Sequence, residues 1–276
     1  MEYNNALVIA KKEIMDNIRN LWFIALSIIF ASLTILASYA GSYFTSGWQG
    51  LGVTVSLMQS LVQLLIPIIA LMLGYGAIVK EIEEKSMNAL LSFPINRFEV
   101  VIGKFLGLGA VLSSTILIGF GAAGVIIASN VSSVDYVEYL IFIAASILIG
   151  LVFLNLGLLY SSFFKKRVTS MGMAIFTWFL FNIIWSLIST MVLIFTTPLS
   201  SIADPSEIPG WFYGLNLVNP LRSYSALASL NIAEVSASIP GGLPSFYNNG
   251  VLLTILLIWL IVPIVLASLL FKNRDI

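Results

Sequence analysis

The sequence contains no cysteine and no histidine, and only 9% of its residues are charged. Without cysteine there is no disulfide framework and no thiolate metal site. Without histidine the commonest metal ligand and the commonest general base are both missing. No metal site is expected, and an enzyme reading fails for want of parts, since neither H-E-x-x-H nor G-x-S-x-G occurs. Gly103-Lys104 has the outline of a phosphate loop. No glycine stands five residues earlier, however, and Phe105 occupies the place of the Ser/Thr that would touch magnesium. The chain is expected to bind no cofactor and to hydrolyse no ATP by itself. A formal net charge of zero argues against a nucleic-acid partner, which requires a basic patch.

What is present is hydrocarbon. Of 276 residues 59% are hydrophobic, and the mean hydropathy is +1.02. A soluble domain carries about 25% charged residues, so this chain dissolves in a lipid bilayer. A span needs about 20 apolar residues. Six runs qualify, at 21–43, 51–79, 100–128, 137–164, 168–198 and 251–271, several of them long enough to imply tilt. Pro67 lies inside the second and is expected to kink it. No small-residue cleavage site follows the first run, so no signal peptide is expected. The expected fold is an all-α integral membrane protein, a single transmembrane domain over 1–276.

Two further elements are expected. Residues 3–19 place Leu7, Ala10, Ile14 and Ile18 on one helical face, with Lys11, Lys12, Glu13 and Asp16 mostly on the other. That pattern suits an amphipathic helix lying in the membrane surface, or a solvated N-terminal helix. Residues 199–248 form a connection of about 50 residues, too long for a bare loop. It is punctuated by Pro205, Pro209, Pro220 and Pro240, and Leu221–Ile232 is a candidate helix. Trp211, Phe212, Tyr213 and Tyr224 make it too aromatic for a floppy linker, so a small external cap is expected.

Orientation follows from Lys and Arg. Six spans put twelve of the thirteen basic residues on the side of the two termini and leave Arg222 alone on the other. Both termini are therefore expected in the cytoplasm, with the chain in the cell's inner membrane. The opposite side collects Asp135, Glu138, Asp204, Glu207 and Glu234. Every charged residue falls in a loop, a tail or near a span end. Lys104 is the deepest, and it is expected to snorkel to the cytoplasmic interface. This disfavours an ion-coupled carrier, which needs ionisable groups at mid-membrane.

Inside the spans only weak polarity remains. Gln59, Gln63, Asn155 and Asn182 are candidates for lining a path, although interhelical hydrogen bonds explain them equally well. Gly103, Gly107, Gly119 and Gly124 allow close helix approach, most simply within one subunit. Met58, Met72, Met171 and Met173 read as core filling before they read as a Cu(I) path.

The densest charge lies at Lys80–Lys104, KEIEEKSMNALLSFPINRFEVVIGK, with four basic and four acidic residues. Charges in such number cannot stay in hydrocarbon. Lys80–Leu91 reads as a short helix ended by Pro94, with Glu81 four residues before Lys85 and an apolar side at Ala89, Leu90, Leu91 and Phe93. It is either a docking element for a partner or a solvated hairpin between two spans.

Here the chain resembles a family. Glu81, Glu83 and Ser86, then Leu90-Leu91, Pro94, Arg97 and Gly103-Lys104, are similar to the coupling-helix pattern of type-2 ABC exporter permeases, E-x-E-x-G-T…L-L-x-x-P-x-x-R…G-K. Lys85 stands at the usual glycine and Ser86 at the usual threonine. A-K-K-E at Ala10–Glu13, R-N-x-W at Arg19–Trp22, Phe93–Arg97, Gly103–Gly107 and Asn219-Pro220 extend the resemblance to the copper-processing branch, the NosY-type permeases that support nitrous oxide reductase maturation. The resemblance implies a homodimer of six-span subunits above separate cytoplasmic ATPase subunits, which hold ATP and magnesium. By the same resemblance Lys80, Glu81, Glu83, Glu84, Ser86, Leu90, Leu91, Pro94 and Arg97 couple to the ATPase. A periplasmic β-helical partner would meet the outer face, with Trp211, Tyr213 and Arg222 as candidate contacts. Competing expectations are a general exporter of a lipid, drug or hydrophobic solute, and a non-transporting membrane scaffold.

Overall fold

In lipid a backbone must satisfy its own hydrogen bonds, which only helices and closed barrels achieve. The computed structural model describes residues 5–44, 52–130, 135–198, 208–237 and 242–274, and among these there is no strand. Helix α1 is Asn5–Ile18 and α2 is Leu21–Phe44. After α3, Gly52–Gly74, come two short helices, α4 (Val79–Glu83) and α5 (Ser86–Leu91). The long α6 (Arg97–Asn130) and α7 (Tyr136–Phe163) follow. Next, α8 (Arg167–Phe179) continues through one π-helical turn, Leu180–Ile184, into α9 (Trp185–Thr196). Three short helices, α10 (Gly210–Leu217), α11 (Pro220–Leu230) and α12 (Ala233–Ala237), precede α13, Asn249–Lys272.

Five helical segments are long and apolar enough to cross a membrane: Thr54–Glu83, Arg97–Ser129, Tyr136–Phe163, Arg167–Thr196 and Asn249–Lys272. The first expected span, in α2, contributes a shorter apolar helix, Ile24–Tyr39. Helix starts lie a few residues outside the apolar runs because polar caps set them. Asp135 accepts from the N–H groups of Val137 and Glu138, and Asn248 from that of Val251. At α6 the Glu99 carboxylate reaches back to the N–H of Asn96, one half of a capping box.

Helix α7 is the axis of the bundle, with α3, α6, α11 and α13 packed around it. Its most apolar stretch is 67% buried, against 17% for the α8–α9 segment, whose outer face is left to lipid or a partner. A T-shaped relay of Phe30, Phe120 and Phe142, with centroids 5.3 and 5.1 Å apart, ties α2 and α6 to α7.

Two expectations change. The α1 residues that pack inward are Ala6, Ile9, Ala10 and Glu13, while Leu7 and Ile18 are exposed. Close backbone approach, rather than the most apolar face, decides which side of α1 turns in. Within 199–248, residues 199–207 and 238–241 lie outside the described residues. Of the rest, α11 is a wedge in the bundle: Tyr224 is fully buried and its hydroxyl lies 3.1 Å from that of Ser146 on α7.

Candidate functional site

The segments rich in Lys and Arg meet at one end of the bundle, which we call the basic end. Two glycine contacts shape it. On α6, a Cβ at Gly103 would fall 2.7 Å from the Ala6 carbonyl oxygen, and one at Gly107 would fall 2.6 Å from that of Ala10. Glycine at both positions lets α1 lie directly on α6. At the end of α3, a Cβ at Gly74 would fall 2.9 Å from the Gly157 Cα, so α3 and α7 cross backbone to backbone.

Lys104, between Gly103 and Gly107, is carried into the α1–α6 seam with 1% of its side chain exposed. Its ammonium donates to Glu13 Oε1 at 2.7 Å and lies 2.9 Å from Glu81 Oε1. Lys12 Nζ reaches the same Glu81 oxygen at 2.9 Å. Two cations and two carboxylates from α1, α4 and α6 thus neutralise one another. Burial works against the charge on Lys12, but its hydrogen bond to Glu81 and the charges of Glu81, Glu13 and Asp16 outweigh it and raise its pKa above the usual lysine value. Glu81 Oε2 is buried and has no hydrogen-bond partner. A cavity of about 580 Å³ opens beside the cluster, bordered also by Tyr75, Lys80, Glu84 and Arg167. Lys104 therefore does not snorkel. Its charge is met inside by carboxylates that helical periodicity had assigned to water.

The α4–α5 hairpin is held from several sides. The N–H groups of Ile78 and Val79 donate to Ser161 Oγ at 2.8 and 2.9 Å, and Ser170 Oγ donates to the Tyr75 carbonyl at 2.7 Å. Glu83 accepts from the Arg167 N–H at the start of α8, at 2.8 Å, where a carboxylate favours the helix dipole. Ser86 Oγ donates to the Glu81 carbonyl at 3.2 Å. Between α4 and α5 the chain turns through Lys85 at φ +59°. The tight turn that glycine makes in the family pattern is thus kept by a lysine in the left-handed region, where a Cβ costs about 1–2 kcal/mol. Met87 and Leu90 then pack onto Ile9, Val100, Val101 and Phe271.

Two arginines staple neighbouring helix ends. Arg97 donates to the carbonyls of Phe271, at 3.0 Å, and of Arg274 at the end of α13, and its guanidinium sits 5.7 Å from the Phe271 ring centroid. Arg274 donates to the carbonyls of Ser161, Ser162 and Phe164 at 2.9–3.1 Å, closing the end of α7.

The residues singled out from the sequence for coupling therefore divide in two. Glu81, Glu83, Leu90 and Arg97 are tied into this chain. Lys80 and Glu84 are exposed and only 3.9 Å apart as an ion pair. Ser86 and Pro94 also face outward, as does their neighbour Phe93, outside the coupling set, with 63% exposure. The Leu91 side chain lies outside the described ones. Asn5 Nδ2 donates to the Pro94 carbonyl at 3.4 Å, which draws the hairpin's far limb toward α1.

The candidate path residues are not brought together. Gln59 donates to the carbonyl and hydroxyl of Ser225 on α11, at 3.0 and 2.7 Å. Asn155 donates to the Leu260 carbonyl on α13 at 2.8 Å, and Asn182 to Trp178 in its own turn at 3.2 Å. Gln63 is half-buried. At the far end, Tyr213 accepts on its carbonyl from the Tyr247 hydroxyl at 2.8 Å, Arg222 donates to Ser186 Oγ at 2.8 Å, and Trp211 is partly exposed.

Sequence reasoning missed Lys12, Glu13 and Lys104 as one unit. A signal was present: Ala6, Ile9, Ala10 and Glu13 follow i, i+3, i+4, i+7 spacing, and Gly103 and Gly107 flank Lys104. Several of these residues lie in the A-K-K-E and G-K-F-L-G stretches that carried the resemblance.

Comparison with known proteins agrees. A family model described as ABC-2 family transporter protein matches residues 7–276. The chain is 33% identical over 281 residues to the probable ABC transporter permease protein NosY of Stutzerimonas stutzeri, covering 98% of this chain and 99% of that one. It is equally 33% identical over 279 residues to the protein of the same description from Pseudomonas aeruginosa, covering 97% and 98%. With matches that run almost from end to end, the chain belongs to the ABC-2 transporter family and is a membrane permease.

Proposed function

We propose that this chain is the permease of an ATP-driven transporter of the copper-processing, nitrous-oxide-reductase-maturation type, working as a homodimer above two separate cytoplasmic ATPase subunits. In this reading α2 supplies the first of six spans, the basic end faces the cytoplasm of the inner membrane, and the ATPase binds ATP and magnesium. The likeness to two NosY permeases along the whole chain supports the branch. The observation that carries the coupling role is the α4–α5 hairpin: exposed Phe93, Lys80 and Glu84 on its outside, and a buried charge cluster joining its inside to α1 and α6. A push on such a hairpin moves the ends of several membrane helices as one body, since buried ion pairs resist separation. A periplasmic β-helical partner would meet the opposite end near Trp211 and Tyr213.

A second reading, export of a hydrophobic solute, is favoured by one feature. A cavity of about 430 Å³ beside α1, α2 and α6 is lined mainly by Ile14, Ile24, Ile28, Val111 and Ile118.

The test is a pull-down of tagged protein, solubilised from its native membrane, with wild type and Phe93→Asp in parallel. Phe93 is chosen because it is exposed, whereas a change at Glu81 would break the cluster itself. The reading expects an ATPase recovered with wild type and reduced at least tenfold with Phe93→Asp. A copurified periplasmic repeat protein would favour the copper-processing branch over solute export. Absence of any ATPase from intact wild-type dimer would move the scaffold reading ahead.

A further inference from the structure

At the end opposite the charge cluster, α9, α10 and α11, with Leu243 and Tyr247, border an open-mouthed pocket of about 280 Å³. Arg222, Ser186, Ser189, Thr190, Ser225 and Ser229 supply most of its polar lining, and no carboxylate is among the described residues that line it. This is the reverse of the basic end, where the buried Lys104 sits between two carboxylates. Arg222 donates to Ser186 Oγ at 2.8 Å, and Gln59 donates to Ser225 Oγ at 2.7 Å. A hydroxyl that already accepts from a nitrogen donor has its own hydrogen left to give. Ser186 and Ser225 are thereby set as donors beside a guanidinium. The pocket is built for an anion carrying several oxygens.

Depth and surroundings narrow its chemistry. Ser186 stands nineteen residues after Arg167, about 28 Å along a helix rising ~1.5 Å per residue. The hydrocarbon core is about 30 Å thick. With Arg167 at one boundary, the pocket lies at headgroup level in the opposite leaflet. From Ser186 back toward the bilayer centre, Ile183, Phe179 and Phe176 are exposed at helical spacing, a strip suited to acyl chains.

We propose that this pocket binds the headgroup of an anionic phospholipid, its phosphodiester on Arg222, Ser186 and Ser225 and its acyl chains along Ile183, Phe179 and Phe176. A single guanidinium matches a single net negative charge. Among the described residues the lining holds no carboxylate to pair with the ammonium of a zwitterionic headgroup, which is left to neutral acceptors and aromatic rings. The proposal does not depend on which solute the transporter moves.

Native mass spectrometry of the purified full-length protein tests this, with added phosphatidylglycerol, phosphatidylethanolamine or diacylglycerol of matched chains. Wild type should retain one phosphatidylglycerol per chain at least tenfold more strongly than either other lipid, and Arg222→Gln should lose that preference. Ser186→Ala/Ser225→Ala leaves the charge in place and should weaken retention severalfold, which keeps the test decisive should Arg222→Gln fold poorly. Equal retention of all three lipids by wild type would overturn the proposal, as would retention unchanged in both variants. Displacement of the lipid by inorganic phosphate at millimolar concentration would overturn it in favour of a free-oxyanion site.

Discussion

The two ends of the bundle solve the same problem differently. At the basic end polar groups enter the protein as full charges: Lys104 and Glu13 are both buried, and Glu81 and Lys12 complete their neutralisation. At the far end the ties are mostly amides and hydroxyls. Asn219 caps α11 through the Leu221 N–H at 2.9 Å and donates to the Phe181 carbonyl at 2.8 Å, within the π-helical turn of the fourth of the five long segments. Ion pairs removed from water are hard to separate once made, whereas neutral hydrogen bonds contribute about 0.5–1.5 kcal/mol each. The basic end is thus fitted to act as a stiff plate, and the far end to rearrange at lower cost. A π turn, frequent at functional sites, belongs at the softer end.

The largest effect should come from Lys104→Met, which keeps much of the stem's bulk and removes the charge. Glu13 and Glu81 would be left with Lys12, whose side chain is 51% exposed. A loss of about 3–5 kcal/mol is expected, read as a fall in the thermal unfolding midpoint in detergent. Adding Glu13→Gln should recover part of it by removing one uncompensated charge. Wild-type stability in the single variant would end the stiff-plate account.

A smaller effect is expected at the far end. Asn219→Ala removes a cap and the bond to Phe181, for about 1–2 kcal/mol. Hydrogen exchange should quicken around residues 180–184 and 220–224 while residues 5–18 and 79–91 stay protected. Exchange that quickens equally at both ends would mean the bundle responds as one unit and the contrast does not hold.

The smallest change should be a gain. Lys85→Gly relieves the left-handed turn at φ +59°, and part of that relief is returned because glycine has more freedom in the unfolded chain. A net stabilisation below about 1 kcal/mol is expected, while Lys85→Val should lose stability. If both variants unfolded at the same temperature, the turn would not be strained.

Much of the basic end was legible. Lys80–Leu91 was read as one short helix ended by Pro94, whereas the chain there forms two, α4 and α5, broken at Lys85, and Glu81 pairs with Lys12 and Lys104 rather than Lys85. The caps Asp135, Asn219 and Asn248 stand in the sequence, but only the structure showed that they start helices. What was not legible is which polar residues face inward. Glu13 looked solvated because its neighbours Lys11, Lys12 and Asp16 are polar. Tyr224 looked like part of an external cap, although it fills the core against Ser146.

By itself, then, the sequence determined that this protein lives in a bilayer, where its long apolar segments lie, and that its basic loops gather on one side. Those properties follow from composition and the cost of charge in hydrocarbon, which act on neighbouring residues. The tertiary structure alone decided that Lys104 is buried rather than snorkelling, and that Glu81 and Arg97 are internal ties while Phe93 is left outside. Each outcome depends on partners far apart in the chain, Glu13 and Lys104 being 91 positions apart. They meet because Gly103 and Gly107 let α1 lie against α6, an approach that helical periodicity does not reveal.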